Sequence, residues 1–131
     1  MATTVAFTAC PSEDMSYSPG SIIQFGLALT NLGDFYNVDT SIFTCPVNGL
    51  YMFSISIFTN DNDYIDANIY KDGSELVQIY SASAGAIHGV NSVLTECNVF
   101  QPVWVECAEI GGTVPGNTRS SFSRVLLVEN S

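Results

Sequence analysis

The stretch "NDNDYID", residues 60–66, sets Asp61, Asp63 and Asp66 close together, interleaved with Asn60 and Asn62. Calcium takes about six to eight oxygen ligands, and closely spaced Asp and Asn side chains supply them. The glycine and closing glutamate of an EF-hand loop are missing, so any calcium here would sit in a different kind of loop. The same residue types also make ordinary solvated turns. Other chemistry has fewer candidates. The single histidine, His88, lies in an extended apolar stretch beside Gly89, and no serine or cysteine pairs with it as a recognisable nucleophile. The four cysteines, Cys10, Cys45, Cys97 and Cys107, contain no CxxC spacing, which argues against zinc. Cys97 and Cys107 could bridge if both point inward, since geometry decides disulfides. No catalytic group is expected, and the chain reads as a non-enzyme.

Whatever these residues do, short extended segments must position them. Val, Ile, Thr, Tyr and Phe occur in short runs separated by Gly, Pro, Asn, Asp and Ser, the pattern of an all-β sandwich or barrel. Ten strands are predicted: 4–9, 22–31, a short one at "YNVD", 41–45, 50–59, 64–73, 74–82, 87–97, 102–110 and 121–130. Asn48-Gly49 and Asp72-Gly73 mark tight turns. With 131 residues, 47% of them hydrophobic, residues 1–131 form a single domain with one core.

The net charge is −10, with three Lys and Arg in all. Nucleic-acid binding is excluded, because phosphate contacts need basic residues. Attraction to anionic membranes and membrane insertion are excluded as well, since no apolar run is long enough to span a bilayer. The charge suits solubility, cation binding or a basic partner. The N-terminus shows neither a basic n-region nor an apolar h-region, so no signal peptide is visible.

Strand 50–59 poses a different question. Alternation puts Tyr51, Phe53, Ile55 and Ile57 on one face, a sandwich core. The other face carries Leu50, Met52, Ser54, Ser56 and Phe58, with no charge. Strand 121–130 is also apolar on both sides. Two such strands call for something packed outside the sandwich, and a subunit interface through Leu50, Met52, Phe58 and Leu126 is the simplest cover.

The blocks "VAFTA", "NLGDFYN" at 31–37, "DTSIFTCPVNGLYMFSISI" at 39–57, "VWVE" at 103–106 and "FSRVLL" at 122–127 resemble, in order and spacing, the globular C1q domain. Stand-alone acidic domains of this kind resemble invertebrate C1q-domain proteins. The resemblance implies a ten-stranded jelly-roll sandwich of two antiparallel sheets, shared with the tumour necrosis factor fold and assembled as a homotrimer. In that family the sheet holding the long central strand and the last strand faces the three-fold axis. It implies an extracellular, non-enzymatic recognition module, lectin-like, binding glycans or microbial surface ligands in innate immunity. The alternative it leaves is a structural or signalling ligand: a matrix component, or a tumour-necrosis-factor-like or synaptic-organiser-like receptor ligand. Calcium near the trimer apex is a further implication, through Asp61, Asp63 and Asp66. Candidate ligand contacts are Tyr64, Tyr80, Asn117 and Arg119, with Asn62 and Trp104 beside them, since aromatics stack on sugar rings and Arg pairs with carboxylates. Three positions depart from the family pattern. Ser41 and Arg124 stand where it has glycine, and Gln101-Pro102 replaces Gly-Asp. Cys45 occupies a position that in the family is commonly a buried free thiol, and Cys10 is expected near the surface.

Overall fold

A computed structural model describes residues 5–60, 63–81, 87–117 and 119–129, with 81, 87 and 88 described by backbone only. Ten strands appear in chain order: β1 (Ala6–Cys10), β2 (Leu27–Leu32), β3 (Tyr36–Asn37), β4 (Ile42–Thr44), β5 (Gly49–Thr59), β6 (Tyr64–Lys71), β7 (Ser74–Ser81), β8 (Ile87–Cys97), β9 (Pro102–Gly111) and β10 (Ser121–Glu129). They make two five-stranded antiparallel sheets, ordered β2-β1-β10-β5-β8 and β3-β4-β9-β6-β7. This is the jelly roll, and β5 and β10 are neighbours in the first sheet.

The inner faces follow from alternation. Tyr51, Phe53, Ile55 and Ile57 of β5 are buried, and so are Ile65, Ala67 and Ile69 of β6 and Val103, Val105 and Cys107 of β9. Phe7, Phe25, Phe43, Phe53 and Phe122, with Tyr36 and Tyr51, form one linked aromatic cluster in stacked, tilted and edge-on pairs. Such pairs add about 0.5–1.5 kcal/mol each beyond area burial.

Several sequence expectations change here. The predicted strand 22–31 divides. Residues 20–23 hydrogen-bond to β9 in the second sheet, and the chain then crosses over to form β2 in the first. Gly26 lies in the crossing, where a side chain would begin 2.9 Å from Ser12 Oγ. In place of the possible Cys97–Cys107 bridge, Cys97 pairs with Cys45, their Cα atoms 6.5 Å apart. Cys97 lies opposite Gly49 at the end of β8, and the turn after it bonds back to Cys45 through Phe100 N–H. Cys45 is therefore no free thiol. Cys107 and Cys10 are the free ones, and both are buried, so Cys10 is not near the surface. Burial pushes both thiols up, which keeps them protonated and unreactive.

The two glycine-to-larger departures are accommodated differently. Ser41 takes the left-handed conformation, φ 59°, that glycine prefers. Its buried Oγ accepts from Phe25 N–H at 2.9 Å, which offsets the strain. Arg124 points into the core. Its guanidinium lies 3.7 Å from the Phe43 ring centroid, with Phe7 and Tyr51 beyond, and Nη1 donates to Val5 O at 2.7 Å. Desolvation pushes it down to about 9.

Candidate ligand-binding face

The outer faces of the two sheets are chemically unlike. On the first sheet, cross-strand pairing lines up Leu32, Ala6, Val125, Met52 and Leu94 as one apolar row across all five strands. The adjacent row is Thr30, Thr8, Ser123, Ser54 and Ser92, hydroxyl side chains throughout. Ser121, Ser56 and Val90 make the next. No charge interrupts these three rows. Leu32, Val90 and Leu94 are exposed.

Two of the four expected interface residues lie on this face: Met52, and Leu50 opposite Val128. The other two do not. Leu126 shares the inward phase of Phe122 and Arg124 and packs against the core, and a bulge shifts the register only beyond it. Val125 fills the outward position instead. Phe58 is buried within the subunit, under the Arg119 guanidinium at 4.9 Å, where Ser120 Oγ accepts its N–H.

The second sheet's outer face is polar and aromatic. Inward Ile65, Ala67 and Ile69 alternate with outward Tyr64, Asp66, Asn68 and Tyr70 on β6. Inward Val103, Val105 and Cys107 alternate with outward Trp104 and Glu106 on β9. Pairing sets them in rows. Glu75, Tyr70 and Trp104 form the first. Gln78, Asn68, Glu106 and Ile22 form the second, and Tyr80, Asp66 and Glu109 the third. Tyr64 sits opposite Gly111, whose missing side chain leaves room for the phenol ring.

The groups on this face are mutually oriented. The Tyr70 and Trp104 rings are parallel within 4°, their centroids 5.9 Å apart. Trp104 Nε1 donates to Glu106 at 3.2 Å, Tyr64 Oη to Glu109 at 3.2 Å, and Gln78 Nε2 to Asp66. The hydrogen bond to Glu109, and its charge, hold the Tyr64 phenol above its ordinary range, so it stays a donor. Asn68 is 6% exposed, and its Oδ1 has no hydrogen-bond partner. A shielded, unpartnered carbonyl costs about 1–3 kcal/mol. The three basic residues of the chain all lie elsewhere. Lys71 reaches Thr95 and Glu96 O, Arg119 covers Phe58, and Arg124 is in the core.

Of the expected ligand contacts, Tyr64 and Tyr80 share this face, and Trp104 belongs to it. Asn117 and Arg119 are held together in a separate turn, where Asn117 Oδ1 accepts Arg119 N–H at 2.8 Å. Sequence reasoning passed over Asn68, Tyr70, Gln78, Glu106 and Glu109. The signal that would have found Asn68, Tyr70 and Glu106 is the period-two alternation of "YIDANIYK" and "VWVEC".

The calcium set is not assembled among the described residues. Asp61 and Asn62 lie outside them. Asp63 folds over Gly112 and accepts from Thr113 N–H at 3.4 Å, while Asp66 accepts from Gln78. Among the described residues no three His, Cys, Asp or Glu side chains converge as a metal-holding group. A cleft of about 610 Å³ runs beside the face, lined among others by Glu13, Tyr17, Ile22, Gln24 and Asp39, and Ile22 is common to both.

Two jelly-roll sheets, one with three adjacent chargeless rows on its outer face, define a domain of the C1q and tumour necrosis factor class. The C1q domain profile matches residues 6–127, and the chain belongs to that family. Domains of this class are non-enzymatic recognition or ligand modules. Zebrafish Caprin-2 is 28% identical over 96% of this chain, which spans 14% of that protein's length. The globular domain of zebrafish complement 1qA superposes with a TM-score of 0.81 at 15% identity, covering 96% of this chain and 99% of that one. Eiger TNF from S. frugiperda gives 0.80 at 11% identity, covering 98% and 95%. Murine APRIL gives 0.76 at 8%, covering 95% and 100%. At these identities the three structures speak to the fold alone. Among the described residues no helix is long and apolar enough to cross a membrane.

Proposed function

We propose that this domain is an extracellular, lectin-like recognition module that assembles as a homotrimer through the first sheet and binds glycans on the second. The outer face of the second sheet carries the reading. It combines Tyr64, Tyr70, Tyr80 and Trp104 with the carboxylates and amides of Asp66, Asn68, Gln78, Glu106 and Glu109. Aromatic faces stack on sugar rings, and fixed polar groups beside them select hydroxyls. The chargeless rows of the first sheet suit a self-complementary or ring-closing contact. The Cys45–Cys97 bridge supports an oxidising, extracellular setting.

The second reading is a structural or signalling ligand for a receptor. The acidic face then meets basic groups of that receptor, with no sugar between them. A glycan array separates the two. A lectin gives a sugar signal that Trp104→Ala and Tyr70→Ala both remove. An array blank for the unmutated protein at high density sinks the glycan reading and favours the receptor ligand.

A further inference from the structure

The groups left open on the second sheet's outer face are almost all acceptors. Asn68 Oδ1 is shielded and unpartnered. Asp66, Glu75, Glu106 and Glu109 add four carboxylates in three neighbouring rows, and no Lys or Arg stands among them. Each of Asp66, Glu106 and Glu109 accepts one hydrogen bond from a neighbour, which leaves lone pairs to spare. The adjoining cleft continues the pattern, with Glu13 and Asp39 in its lining and no basic side chain.

A ligand complementary to this face must therefore bring donors and positive charge. An acidic sugar is disfavoured, because its carboxylate would face four others with no cation to pair it. A hydroxyl supplies one donor and no charge. A protonated amine supplies three donors, pairs with carboxylates, and sits well over an aromatic ring. Tyr70 and Trp104, stacked on each other, put aromatic rings beside Glu106, against which a pyranose ring can pack while its amine reaches that carboxylate. A basic peptide matches the charge and makes less use of the paired rings.

We infer that the outer face formed by β6, β7 and β9 binds amino sugars in their free-amine form, as in β-linked glucosamine oligomers. This inference rests on the glycan reading above and narrows it.

The test uses a matched pair, a glucosamine hexamer and an N-acetylglucosamine hexamer, titrated calorimetrically at about pH 6 and low salt. The free-amine hexamer should bind at least about tenfold tighter, the increment of one charge-assisted hydrogen bond. Glu106→Gln should shrink that preference about tenfold while thermal unfolding stays unchanged. Asp34→Asn, which removes one charge in an exposed turn away from this face, should leave the preference intact. Raising salt to roughly 0.5 M should collapse the preference, as screening requires. Equal binding of the two hexamers, or tighter binding of the acetylated one, overturns the amine inference and leaves the glycan reading standing. Binding of neither overturns both. A lysine hexapeptide binding as tightly as the glucosamine hexamer overturns the sugar assignment in favour of a basic protein partner. A preference that falls equally in Asp34→Asn and Glu106→Gln shows net charge rather than this face, and overturns the site.

Discussion

Replacing Arg124 by Met tests what a buried cation does inside this core. Arg124 is 3% exposed, and desolvation lowers its guanidinium from the ordinary arginine range to about 9, so it is still charged at neutral pH. That shift corresponds to a penalty of roughly 5 kcal/mol on the charged form. Two contacts oppose it. The Phe43 ring at 3.7 Å contributes about 2 kcal/mol for a desolvated cation over an aromatic face. The hydrogen bond from Nη1 to Val5 O contributes about 1.5–3 kcal/mol as a charge-assisted bond. Nε has no partner. The shift to about 9 is what remains after such contacts, so the balance falls on the unfavourable side. Arg124→Met keeps most of the volume and removes the charge, so stability in urea unfolding should be unchanged or higher by up to about 2 kcal/mol. Arg124→Gly, the residue of the family pattern, leaves a cavity and should cost roughly 3–5 kcal/mol. The pH dependence has a definite sign. Above about 9, and up to the ordinary arginine range, the unfolded chain holds a proton at this position that the folded chain has released, so this group makes stability rise with pH in that window. The advantage of Met over Arg should therefore be constant below about pH 8 and shrink as pH rises through 9. A loss above about 3 kcal/mol for Arg124→Met would refute the reasoning, because the ring contacts would then outweigh the desolvation.

The disulfide closes a loop across a sequence separation of 52, so reducing it, or Cys45→Ala with Cys97→Ala, should lower stability by about 4 kcal/mol on the chain-entropy account. Denaturant unfolding with and without reductant measures this. Met52→Asp puts a charge at the centre of the apolar row, and sedimentation equilibrium should show trimer for the unmutated protein and monomer for the variant. On a glycan-coated surface the same variant should lose about a hundredfold or more in apparent affinity, while its affinity for a soluble oligomer is retained. Calcium is tested by thermal unfolding in EDTA and in millimolar calcium. Asp63 and Asp66 hold separate partners, so the midpoint should not move. A rise that Asp61→Asn/Asp63→Asn removes would restore the calcium site.

The parts of this molecule legible in the sequence are those governed by period two. Tyr51, Phe53, Ile55 and Ile57 are inward because alternate residues on an eleven-residue strand must share a face. Arg124 breaks the rule that charge marks the solvent side. It shares the inward face with Phe122, and only the surrounding rings, contributed by β1, β4 and β5, make that position tolerable. No local pattern reveals partners so distant in the chain. Leu126 was misplaced for a related reason. Unbroken alternation with inward Phe122 and Arg124 carries it to the core side, and the bulge shifts the register only after it. The Cys45–Cys97 pair depends on β8 running antiparallel to β5, so that Cys97 meets Gly49, a fact of topology. The ligand face was half legible. The predicted strand 64–73 already held Tyr64 and Asp66, but only the pairing of β6 with β7 and β9 sets this strand beside Tyr80, Gln78, Glu106 and Glu109.

The distribution of charge connects the two proposed functions of the fold. Thirteen acidic residues act on one chain with three basic ones, yet none stands in the three central rows of the first sheet. Like charges brought together across a three-fold axis would repel strongly in a desolvated contact. A chain this acidic can associate with itself only where its surface is free of carboxylates, and that requirement concentrates them on other surfaces. The second sheet's outer face, turned away from the first, takes four of them beside its aromatic rings. The proposed self-association and the proposed preference for a cationic ligand would thus share one arrangement, with the chargeless rows on one sheet and the carboxylates on the other.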